Sequence, residues 1–125
     1  MTEVQIIIED LQSQNTSVVA KIVKIVGQLD ESNVDDKSQE IYKLIESIQP
    51  GQKLNVAFDF SGLEYMNSKS IGYLTDWYSK ITGSGGKICI SGAKDNITDI
   101  LQVVGITQII TCYASLEEAK TYIIS

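Results

Sequence analysis

Residues 54–74 read Leu54-Asn55-Val56-Ala57-Phe58-Asp59-Phe60-Ser61-Gly62-Leu63-Glu64-Tyr65-Met66-Asn67-Ser68-Lys69-Ser70-Ile71-Gly72-Tyr73-Leu74. In the first part, Leu, Val and Phe alternate with Asn, Ala and Asp over residues 54–60, the pattern of a brief central strand. Residues 61–67 are polar and glycine-containing and read as a loop. Ile71, Leu74, Tyr78 and Ile81 then recur every three or four positions, so residues 68–82 predict an amphipathic helix with those four side chains as its buried stripe. A buried strand that feeds a helix is half of a parallel βαβ unit.

The rest of the chain extends this pattern in both directions. Upstream, Val4–Leu11 and residues 17–26 are rich in Ile and Val and predict two strands, the second closing at a turn, Gly27-Gln28-Leu29-Asp30. Ser32 or Asn33 then caps a helix with Asp35 and Asp36 in its first turn and Ile41, Leu44, Ile45 and Ile48 on its inner face. Pro50-Gly51 stops it. Downstream, residues 87–91 predict a fourth strand. A third helix starts at Lys94 or Asp95, has Ile97, Ile100, Leu101 and Val104 inward, and ends at Gly105. Residues 108–113 predict a fifth strand, and Ser115 with Glu118 matches a capping box opening a last helix. The order β-β-α-β-α-β-α-β-α predicts an α/β fold. Its sheet is mixed and five-stranded, with about four helices, and largely parallel with an antiparallel N-terminal strand.

The 125 residues suit one domain over 1–125, and 43% hydrophobic residues suffice for an ordinary core. A net charge of −6 argues against nucleic acid as a partner, because duplex binding needs clustered Lys and Arg. Cys89 and Cys112 sit in apolar runs and read as buried thiols of a reducing compartment. No basic region precedes an apolar segment and no run nears membrane-spanning length, so a cytoplasmic protein with no membrane partner is expected.

Several chemistries are excluded by what is missing. There is no His, which removes the usual general base, and two Cys alone do not make a zinc site. Gly83-Ser84-Gly85-Gly86-Lys87 looks like a phosphate loop, but Lys87 is followed by Ile88 and the segment runs from a helix into a strand. It reads as a helix end and turn. No enzyme and no cofactor are expected. The polar cluster Asn67-Ser68-Lys69-Ser70 at a helix start has two readings. Asn67 or Ser68 caps the helix, or the cluster is a docking and phosphorylation site whose phosphate would meet the helix amides.

That segment is similar to the STAS-domain signature. In this family a strand reading roughly Leu-Asp-Leu-Ser is followed by an aromatic, an Asp-Ser-Ser/Thr-Gly turn and a Leu-Gly-rich helix. The matching residues here are Phe58-Asp59-Phe60-Ser61-Gly62 and Asn67-Ser68-Lys69-Ser70-Ile71-Gly72. Gly85-Gly86-Lys87, Ile100-Leu101 through Gly105-Ile106, Ser115 to Ala119 and the Gly27 to Asp30 turn extend the resemblance over nearly the whole chain. It implies a STAS-like sheet and the role of a bacterial anti-sigma factor antagonist. Such a protein binds an anti-sigma factor that is a GHKL-type serine kinase and so frees a sigma factor. The kinase releases it by phosphorylating the start of the second helix.

The resemblance fails at the decisive position. The usual phosphoacceptor falls on Lys69, the preceding Asp has become Asn67 and the Gly has become Ser70. Three outcomes are open. The protein binds without being switched, phosphorylation has moved to Ser68 or Ser70, or the domain is a scaffold that associates with other STAS proteins or itself. Lys69 also sits where the helix dipole disfavours a cation, so it either meets an acidic partner group or is simply solvated. The expected partner-binding residues are Asn67, Ser68, Lys69, Ser70 and Gly72, with Gly27, Asp30 and Asn33 on the same edge.

Overall fold

The computed structural model describes residues 3–125. Its longest strand, β2 (Val18–Leu29), pairs antiparallel with β1 (Val4–Leu11) over that strand's whole length. On its other side β2 pairs parallel with β3 (Lys53–Asp59) from Val18 to Lys24. The chain then turns at residues 60–62, and β4 (Leu63–Met66) continues along β2 from Gly27 to Leu29. β5 (Ile88–Ser91) adds beyond β3, and β6 (Thr111–Tyr113) forms the far edge. The sheet is mixed, antiparallel at β1–β2 and parallel elsewhere.

The strand count is six among the described residues, against the five expected. The additional strand is β4, which lies in the stretch read as a loop. Leu63 and Met66 are buried while Glu64 and Tyr65 face outward, so the four residues carry no period-two alternation to announce a strand. Pairing with β2 makes it one. For the same reason β2 runs three residues past its expected end, through Gly27, Gln28 and Leu29, where a turn was expected. The expected strand 108–113 keeps only its last three residues. Ile106–Gln108 is a 3-10 turn instead, because Gly105 turns the chain at φ +83° and the Ile110 amide bonds back to the Ile106 carbonyl at 2.9 Å.

Three helices cover one face of the sheet: α1 (Val34–Glu46), α2 (Ser68–Gly83) and α3 (Asp95–Val103). Their inner faces close on Val23, Ile25, Phe58 and Ile90 in one core. In α2 the buried stripe is Ile71, Leu74, Trp77 and Ile81. Trp77 takes the place expected for Tyr78 because its ring stacks on Phe58 at 5.5 Å. In α3 Ile97 and Leu101 point inward, but Val104 lies just past the last turn and is 52% exposed. Among the described residues the opposite face is covered by α4 (Leu116–Ile124) alone, which sits close to the sheet because Ala20, Ala57 and Ala119 are small. Ser115 accepts the Glu118 amide as its cap, while the Glu118 carboxylate accepts from the Ser115 hydroxyl rather than reaching the backbone.

The glycine-rich segment is the helix end it was read as. Gly85 has φ +88°, and a Cβ on Gly86 would lie 1.9 Å from the Leu54 carbonyl oxygen. Gly27 carries a similar constraint where β1, β2 and β4 converge. Its φ is +109°, a Cβ would fall 2.3 Å from the Glu3 carbonyl oxygen, and the register along β4 slips one residue beside it. Gly27→Ala is therefore expected to cost about 2 kcal/mol or more in urea unfolding, the scale of a non-glycine residue forced into such a conformation.

Candidate functional site

The end of the sheet where the parallel strands finish carries the polar cluster. β4 delivers Asn67 to the N-cap of α2, where its Oδ1 accepts the Ser70 amide at 3.0 Å. The Asn67 amide donates to the Ser70 hydroxyl oxygen at 2.8 Å, and that hydroxyl donates to the Asn67 carbonyl at 2.9 Å. The two residues close a reciprocal capping box that satisfies the helix start. Ser70 is fully buried by this arrangement. Ser68 and Lys69, the first two residues of α2, point to solvent. Their amides lie in the turn that has no intrahelical acceptor, and no acidic residue occupies that turn.

Lys69 meets an acidic group of its own chain. Its Nζ donates to Asp35 Oδ2 at 2.8 Å, and the Tyr73 hydroxyl donates to Asp35 Oδ1 at 2.5 Å. One carboxylate in the first turn of α1 thus clasps two side chains of α2. The bonds from Lys69 and then Tyr73 hold the Asp35 carboxyl below its ordinary value. Asp35 in turn raises the Lys69 ammonium. Further along the same helix pair the Tyr42 hydroxyl bonds Asp76, and burial followed by this bond raises the Tyr42 phenol well above its usual range. With side chains 44% and 59% exposed, the Lys69–Asp35 bridge adds little stability; what it fixes is position.

The expected site residues divide among three depressions and the core. Asp30, Asn67 and Ser68 share one shallow depression with Glu31, Ser32 and Tyr65. Lys69 and Gly72 line a neighbouring one with Tyr42, Tyr73 and Asp76. Gly27 and Asn33 lie on the far side of the β2–α1 loop, against Glu3 and Asp36. Asn33 stands at the N-cap of α1 but makes no side-chain cap. Its Nδ2 donates to the Gln28 carbonyl at 2.8 Å and its Oδ1 accepts the Asp30 amide at 3.1 Å, so it ties the end of β2 to the helix start. The Asp30 carboxylate accepts from the Ser32 amide and hydroxyl at 2.9 and 2.6 Å.

Sequence reasoning missed Tyr65, Asp35 and Tyr73. Tyr65 lay in the supposed loop and is 43% exposed beside Ser68. Asp35 was assigned to the helix dipole. A signal for its second role did exist: α1 and α2 both follow parallel strands, so their first turns must emerge at the same sheet end. The thiols offer no reactive group there. Cys89 is buried and pushed up to about 12 by that burial, and Cys112 is half-buried and free. Among the described residues no cluster of three or more His, Cys, Asp or Glu is placed to hold a metal, and no helix is long and apolar enough to cross a membrane.

The STAS domain model matches residues 10–119, and the chain belongs to the STAS-domain family. Its fold is similar to that of an anti-sigma factor antagonist from Mycobacterium paratuberculosis. The identity is 18%, the coverage 98% of this chain and 96% of that one, and the TM-score 0.79. The phosphorylated form of the Bacillus cell fate determinant SpoIIAA aligns at 17% identity over 94% and 98% of the two chains, with a TM-score of 0.69. The STAS domain of a SulP transporter from Vibrio cholerae aligns at 18% identity over 88% and 83%, with a TM-score of 0.67. At these identities the likeness is one of fold. No curated protein sequence matches the chain.

Two substitutions test the geometry. Asn67→Ala removes the cap acceptor and is expected to cost about 1 kcal/mol in urea unfolding. Asp35→Asn removes a carboxylate whose folded pKa is depressed, so it acts on the acid side. The wild-type contribution is complete above the ordinary value of 3.8 and is lost as pH falls through the lowered folded value. Urea midpoints measured from pH 6 down to about 2 should therefore fall less steeply for Asp35→Asn than for the wild type. Parallel curves would remove the clasp from the account.

Proposed function

We propose that this STAS protein is a regulatory binding module, an anti-sigma factor antagonist that binds a GHKL-type serine-kinase anti-sigma factor and thereby frees a sigma factor. The observation that carries the reading is the construction of the α2 start. The fold is that of antagonists, and the helix that bears their switch residue here presents an exposed Ser68 beside a depression lined by Asp30, Glu31 and Tyr65. The partner surface centres on Asn67, Ser68, Lys69 and Gly72, with Asp30 and Tyr65 across the depression.

The switch in this reading is Ser68. Lys69 occupies the customary acceptor position and cannot form a phosphate ester. Ser70 has its hydroxyl buried in the capping box, out of reach of a kinase. The Ser68 side chain has no hydrogen-bond partner among the described residues and is exposed. A phosphate there gains roughly two negative charges. It faces Asp30 and Glu31 across the depression, so the surface becomes strongly acidic where the partner docks. Gly27 and Asn33 act behind this surface, by holding the β2–α1 loop, rather than in it.

The test is binding by calorimetry to the purified GHKL-type serine kinases of the same genome, followed by incubation with ATP and mass spectrometry. One kinase should bind, and Ser68→Glu and Lys69→Glu should each weaken it by about tenfold or more, equivalent to about 1.4 kcal/mol. ATP should add one phosphate on Ser68, which Ser68→Ala abolishes while Ser70→Ala does not. Unchanged affinity in both charge variants, or no binding by any kinase, would remove this function from the chain.

A further inference from the structure

At the end of the molecule opposite Ser68, where α1 and α2 finish, lies a cavity of about 310 Å³ that the antagonist reading does not use. Its floor is Leu54 at the start of β3 and Ile81 near the end of α2, both buried. Ile45 and Ile48, at and just past the end of α1, add apolar wall and are only half-buried. The loop after α1 completes the lining. Gly51 turns that loop at φ +87°, with nothing within 4 Å of where its Cβ would be, so the loop stands off the core instead of filling the space. The loop is also braced. The Gln52 amide donates to the Gln49 carbonyl at 3.0 Å, and Gln52 Oε1 accepts the Gln49 amide at 3.2 Å. The cavity is thus preformed, and it has the size and apolar lining of a small-molecule site.

We propose that this cavity binds a small carboxylic acid by its apolar body, with Lys80 taking the carboxylate at the rim. Among the described residues Lys80 is the only charged one that lines it, and no carboxylate does. That asymmetry selects the ligand. A cationic ligand would meet Lys80 with like charge, and a neutral one would gain nothing from the ammonium. The ammonium is available to a ligand. Asp76 Oδ1 lies 3.5 Å away, too far for a strong hydrogen bond, the Lys80 side chain is 50% exposed, and an ammonium has three donors. The depth of the cavity is a different environment. α1 and α2 both end beside it, and the carbonyl ends of helices repel an anion. The carboxylate therefore stays beside Lys80 while the body reaches Leu54 and Ile81. At roughly 30 Å³ for each non-hydrogen atom, the cavity holds a ligand of about ten such atoms.

Titration of the full chain with sodium octanoate, an unbranched acid of this size, followed by amide NMR, tests this. The amides of Gln49, Gly51, Gln52 and Ser84 should shift saturably, with a Kd of about 1 mM or tighter, while those of Ser68 and Lys69 stay in place. Octanol and octylamine carry a similar body with a neutral or cationic head, and each should bind at least about tenfold more weakly. Lys80→Met should weaken octanoate binding by about tenfold, and Lys80→Arg should retain it. Lys80 is half exposed and its pair with Asp76 is long, so urea midpoints of both variants should match the wild type. Ser68→Glu should bind octanoate as the wild type does, which separates this site from the proposed antagonist surface. Shifts that do not saturate, shifts confined to other parts of the chain, octanol binding as tight as octanoate, or octanoate binding unchanged by Lys80→Met would overturn the proposal.

Discussion

β2 meets β1 along one side, and along the other it must serve β3 and then β4 in succession. That double duty sets the geometry of everything at the polar end. Within the β4 pairing the register slips by one residue, passing over Glu64, and the slip falls beside Gly27, where no side chain would fit. Because β4 reaches as far along β2 as Leu29, the loops after β2 and after β4 leave the sheet at the same level. α1 and α2 therefore start side by side, and a carboxylate in one can reach an ammonium and a phenol in the other.

The start of α2 divides its tasks between neighbouring residues. Asn67 and Ser70 do the structural work, closing the capping box on each other. Ser68 is left without an internal partner. Lys69 is held sideways onto Asp35, which offsets the unfavourable placement of a cation at a helix N-terminus by supplying an anion 2.8 Å away. Both capping residues differ from the usual family pattern, which has Asp and Gly there, and together they close the helix start without the Ser68 hydroxyl.

Much of the fold was legible because hydrophobic periodicity reports burial directly. The runs in β1, β3 and α2 are clear, and their elements appear where the pattern put them. β4 was hidden because four residues with buried ends and exposed middles obey no simple period; only the neighbouring strand makes them extended. Val104 was assigned inward by spacing alone, but the helix stops one residue earlier, and beyond its end the spacing no longer predicts direction. At the site, Asn67 and Ser68 were both singled out, and the structure gives the cap to Asn67. Their division of labour was not readable, since either residue type caps a helix well. The Asp35–Lys69 bridge spans 34 positions and exists only through topology.

The two faces of the sheet are unequally guarded. Three helices close over one, while nine residues of α4 cover the other, held by small side chains and by the buried Asn55, whose amide donates to the Ile123 carbonyl at 2.7 Å. Local opening concentrates in elements that are thinly anchored in this way. Beneath it lies Cys89, whose thiol stays protonated and sheltered as long as the helix is seated. Alkylation of Cys89 is therefore expected to be slower than that of half-buried Cys112, and its rate would serve as a built-in clock for how often the thinly covered side of the molecule opens.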